Sequence, residues 1–74
     1  MKSVIPLAMI EAGEKVRMMK LGGPEATRRH LADLGFIPGA LIQVVSQRDG
    51  DVIIKLGDTR LALTKPMAAR ILVE

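Results

Sequence analysis

The chain has 74 residues, of which 49% are hydrophobic and none is cysteine. That length suits a single domain over 1–74 with a core of its own, and it excludes disulfide staples and thiolate metal sites. The net charge of +3 is a mild excess spread along the chain, not a polybasic arm; Arg28-Arg29-His30 is the nearest thing to a charge block.

The N-terminal stretch "PLAMIEAGE" predicts a helical turn or bend, stopped by Gly13. Pro6 and Glu11 cut its apolar run short, so no secretory segment is expected there. "EKVRMMKL" alternates and predicts a half-buried strand over Lys15–Leu21, with Val16, Met18 and then Lys20 on one side. "GGP" breaks it. Gly23 can cap a helix, Pro24 suits the first helical position, and Glu25 favours the positive helix end. The spacing predicts a helix over Pro24–Leu34, with Ala26 or Thr27, His30, Leu31 and Leu34 on the buried face. Glu25 and Arg29 stand four apart, as an ion pair requires. Gly35 falls where a left-handed residue ends a helix, and Pro38-Gly39 suits a type II turn.

"ALIQVVSQ" then predicts a strand rich in β-branched residues. The uncharged run Leu34–Gln47 is too short and too interrupted by Gly35, Pro38 and Gly39 to cross a bilayer. Asp49-Gly50 marks a hairpin, followed by a strand with Val52, Ile54 and Leu56 on one face. Gly57-Asp58 marks a second tight turn, into a strand carrying Leu61 and Leu63. Thr64 can cap a short helical turn, "KPMAAR", before a last strand "ILV". About five short strands, one helix after the first of them and a helical turn before the last describe an SH3-like barrel of mainly β class. The mean hydropathy of +0.27 is high for so small a chain, so some apolar surface is expected to face a partner or another copy.

With these elements in place, the sequence resembles the FeoA family, the small cytosolic component of the bacterial ferrous iron transport system. "LADLGFIPGALIQVV" carries most of the likeness, and "GDVIIKLGDTRLALTKPMAARILV" and "PLAMIEAGEKVRMM" extend it over nearly the whole chain. The resemblance implies a cytoplasmic, non-catalytic adaptor or regulator. Its implied partner is the cytosolic domain of the FeoB-like membrane permease, with no cofactor and no insertion into the membrane.

The residues offer little to other chemistries. Ferrous iron favours imidazole and carboxylate ligands, and the chain has one histidine, His30, with Asp33 three positions on. Two ligands make no tight site, and His30 is expected on the buried edge of the helix. Met9, Met18 and Met67 fall at positions that read as core, where methionine fills gaps. Asp49 and Asp51 flank a turn, and no nucleophile stands ready for the lone histidine. "LGGPEA" lacks the spacing and the lysine of a phosphate loop. Single-strand nucleic-acid binding needs aromatic platforms, and Phe36 is the only aromatic residue. Backbone contacts through Arg28, Arg29, Arg48 and Lys55 would be weak, so no nucleic acid is expected. Self-association through the apolar surface is the other alternative. The residues expected to meet a partner are Arg28 and Arg29 on the open helix face, Phe36 and Ile37 in the corner after it, and Met67 on the late helical turn.

Overall fold

The alternating stretch Lys15–Leu21 folds as the expected strand, β2, and the other elements are arranged around it. The structure is a computed structural model that describes residues 4–74. Before β2 come β1 (Ile5–Pro6) and a 3-10 turn at Leu7–Met9. After it come α1 (Glu25–Asp33), β3 (Leu41–Arg48), β4 (Asp51–Leu56), β5 (Thr59–Leu63), α2 (Lys65–Ala68) and β6 (Ile71–Val73). Among the described residues the six strands form one sheet in the order β1-β6-β2-β3-β4-β5, every pair antiparallel.

Strand β2 serves two neighbours. Lys15, Val16 and Arg17 pair with Gln43, Ile42 and Leu41 of β3, whereas Met18 onward pairs with β6. A bulge between Met18 and Lys20 follows the change, within the pairing to β6. Bulges bend a strand and sharpen its twist, which curls the sheet into the SH3-like barrel. The bulge also shifts the inward phase. Lys20, expected inward, is exposed, and Leu21 is half-buried instead.

The first segment forms the expected helical turn, as a 3-10 turn, and adds a short strand before it. Ile5 and Pro6 pair with Val73 and Leu72 and cover one side of β6. The 3-10 turn that follows places Leu7 and Ile10 inward, because side chains three apart eclipse in that geometry. Met9, expected in the core, falls between them and is 69% exposed.

Helix α1 starts one residue later than expected. Pro24 has ψ 153°, and its carbonyl accepts the first helical bond from Arg28, so it is the N-cap residue. Leu31 is fully buried and Thr27 half-buried. His30 and Leu34, both expected on the buried face, are exposed because the helix meets the barrel along a narrow strip. The C-terminal end is a Schellman motif: Phe36 N–H donates to the Leu31 carbonyl at 3.1 Å and Gly35 N–H to the Ala32 carbonyl at 3.0 Å. Gly35 has φ +111°. Its accompanying apolar pair is Leu31 and Phe36, both fully buried. Pro38-Gly39 then turns the chain, with Ala40 N–H donating to the Ile37 carbonyl at 3.0 Å and Gly39 at φ +91°.

Two-residue turns at Asp49-Gly50 and Gly57-Asp58 close the β3–β4 and β4–β5 hairpins. Ile42, Val44, Val52, Ile54 and Leu63 point from these strands into the core, joined by Ala68, Ile71 and Val73. No buried residue among those described is polar or charged. The α2 cap differs from expectation. The Thr64 side chain makes no capping bond; a carboxylate oxygen of Asp51 accepts from Lys65 N–H at 2.7 Å instead.

A Cβ at Gly35 would lie 3.0 Å from Leu56 Cδ2, whereas one at Gly39 meets nothing within 4 Å. Gly39→Ala is therefore expected to cost about 1 kcal/mol from its backbone conformation, and Gly35→Ala about 1–2 kcal/mol more, in urea unfolding. Asp51→Ala should cost about 1 kcal/mol by the same measurement, whereas Thr64→Ala should cost no more than a few tenths.

Candidate partner-binding groove

The corner Gly35–Ala40 is tied to β2 at several points. Gly39 N–H donates to the Met18 carbonyl at 2.8 Å, and Met18 N–H donates to the Ala40 carbonyl at 2.9 Å. Arg17 Nη1 donates to the Gly39 carbonyl at 2.9 Å. These bonds hold the corner and α1 beside the bulged half of β2, and a groove of about 430 Å³ runs between them.

Its floor is apolar. Met18 and Phe36 are buried beneath it, Leu21 is half-buried, and Ala32, Ile37 and Pro38 are exposed along it. Lys20, Glu25, Arg28 and Arg29 form the rim. Arg29 Nη2 lies 3.0 Å from Glu25 Oε1, the expected helical pair, with both side chains about three-quarters exposed. Such a pair contributes little in water, roughly 0.3–0.5 kcal/mol. Lys20 and Arg28 have no ion-pair partner among the described residues. The groove therefore offers an apolar strip beside two uncompensated positive charges, which suits a partner surface with apolar and acidic groups.

Four of the five residues expected to meet a partner line this groove: Arg28, Arg29, Phe36 and Ile37. They do so in different ways. Phe36 is fully buried and supplies the floor, whereas Ile37 is 56% exposed and supplies a wall. Met67 lies elsewhere, half-buried on α2 and packed against the core. Sequence reasoning did not single out Lys20, Leu21 and Ala32, which also line the groove. The bulge that turns Lys20 outward follows from strand pairing with β6, and nothing local in "VRMMKL" announces it.

His30 and Asp33 are both exposed on α1. Among the described residues no group of three or more His, Cys, Asp or Glu side chains could hold a metal ion. No described helix is long and apolar enough to cross a membrane.

A family model described as the FeoA domain matches residues 5–74. A crystal structure described as the iron uptake regulatory protein FeoA is 34% identical, covers 97% of each chain and superposes with a TM-score of 0.89. A protein of Methanocaldococcus jannaschii, provisionally named Fe(2+) transport protein A, is 29% identical over 69 residues, which is 93% of this chain and 84% of that one. The FeoA of Stenotrophomonas maltophilia, solved with zinc and described as a procaryotic SH3 domain protein, shares the fold. It has a TM-score of 0.83 at 24% identity, over 95% of this chain and 89% of that one. With the barrel, its inserted helix and a match over residues 5–74 in agreement, the chain belongs to the FeoA family.

Proposed function

We propose that this chain is a non-catalytic cytoplasmic regulator of a FeoB-like ferrous iron permease, acting by binding the permease's cytosolic domain through the groove between α1, β2 and the Phe36–Pro38 corner. The observation that carries this reading is the groove itself. It sets apolar floor and wall residues beside Lys20 and Arg28, two cations with no ion-pair partner among the described residues. An interface of this kind gains its energy from a few desolvated anchors at the centre and its orientation from charges at the rim. Ile37 is the anchor on this side, and Arg28 and Lys20 are the steering charges. The relatives support the link to iron: the Methanocaldococcus protein is named for Fe(2+) transport, and the Stenotrophomonas protein is described as a candidate activating factor for ferrous iron transport.

A second reading is self-association through the same corner. It is favoured by Ile37 and Leu41, at 56% and 58% exposure on either side of the Pro38-Gly39 turn. Light scattering over a concentration series separates the two, since a monomer at high concentration counts against self-association.

The direct test is binding of the purified permease cytosolic domain, with and without guanine nucleotide. Wild-type chain is expected to bind. Ile37→Asp and the double variant Lys20→Glu, Arg28→Glu should each bind at least about tenfold more weakly, a loss of about 1.4 kcal/mol, while their circular dichroism and unfolding midpoints stay close to wild type. A wild-type chain that binds in neither nucleotide condition would sink the reading.

A further inference from the structure

Strand β5 lies at one end of the sheet order, with β4 on one side and no strand on the other among the described residues. The two-residue turn makes Leu56 and Thr59 the closing pair of its hairpin, so hydrogen-bonded pairs alternate from there: Leu61 and Leu63 also bond to β4. The backbone groups of Arg60 and Ala62 consequently point away from the sheet. Outside the ladders, no backbone hydrogen bond among the described residues reaches either one.

The outer face of the sheet gives this edge a charge. Register places Lys15 opposite Gln43, Gln43 opposite Lys55, and Lys55 opposite Arg60, one row across four strands. Lys15, Lys55 and Arg60 are exposed and have no ion-pair partner among the described residues. Like charges directly opposite on neighbouring strands repel, so the Lys55–Arg60 pair is unfavourable until an anion stands beside it. The next row is Ser46, Ile53 and Ala62. Ala62 is small, Ile53 beside it is 42% exposed, and both line a concavity of about 570 Å³ that Arg48, Asp49 and Asp51 also line, so an apolar group rather than a second carboxylate suits it.

We propose that the β5 edge takes up an extended acidic segment of another protein by strand addition. Its backbone pairs with Arg60 and Ala62, a carboxylate stands next to Arg60 at the end of the cationic row, and an apolar side chain two residues away packs over Ala62 and Ile53. Main-chain bonds supply affinity in this mode and alternate side chains supply specificity. A single edge charge would be enough to discourage aggregation. Here the row spans four strands and its three cations have no ion-pair partner among the described residues, which calls for an anionic partner at Arg60. A second copy is a poor occupant, because pairing two β5 edges would bring both Arg60 side chains, and both cationic rows, together. Nucleic acid could neutralise the row but has no peptide backbone for the open edge. This surface is separate from the groove and stands whether or not the permease occupies that groove.

The test uses the full chain, labelled with ¹⁵N, and a capped peptide Thr-Glu-Thr-Val-Thr-Glu-Thr, with a counterpart carrying Lys for Glu. The acidic peptide is expected to shift the Arg60 and Ala62 amides most and to slow their hydrogen exchange at least tenfold. Binding of the Lys peptide should be at least fivefold weaker, and Arg60→Glu should reverse the preference. Ala62→Pro removes an outward N–H without breaking a bond to β4, so it should abolish peptide binding with the unfolding midpoint near wild type. No response at these amides, an equal response to both peptides, or the same protection on raising protein concentration alone would overturn the proposal.

Discussion

The paired hydrogen bonds between Met18 and the Gly39-Ala40 backbone are the constraint on which the rest of the structure depends. They come at the residue where β2 leaves β3 and takes up β6. Without them the inserted segment would be a loose excursion between two strands. With them, the left-handed exit at Gly35 drives Phe36 under the helix, and Pro38-Gly39 returns the chain into β3 in register. A small barrel without disulfides relies on such fixed corners, since its core alone supplies only a few kcal/mol of net stability.

The corner also explains why the groove exists. Phe36 is consumed by the core, so the next apolar residue, Ile37, has no room inside and stands at the surface. The bulge in β2 turns Lys20 outward on the facing side. One structural solution, joining a helix to a curled sheet, therefore leaves an apolar wall beside cations that are unpaired among the described residues. The open edge of β5 arises differently. Among the described residues the sheet ends at that strand, and the outer row that ends on it at Arg60 carries charge.

Much of this was legible in the sequence. Lys15–Leu21 was readable from alternation, the helix end from Gly35, and both hairpins from Asp49-Gly50 and Gly57-Asp58, because each signal is local chemistry. What could not be read depended on partners distant in sequence. Pro6 joins a strand because β6 is there to receive it. Asp51 caps α2 across a hairpin, displacing Thr64 from the role its position suggests. His30 follows helical spacing correctly, yet it is exposed because a nine-residue helix resting on one strip has little to cover it. The groove was visible as separate residues on a helix face and a corner; their meeting with Lys20 was not.

Amide shift mapping of the ¹⁵N-labelled chain on addition of the permease cytosolic domain tests the central claim most directly. The account predicts that the largest changes fall on Lys20, Arg28, Ala32 and Ile37, the residues that the corner and β2 bring together. Binding with those amides unmoved, or changes centred on α2 around Met67, would contradict it.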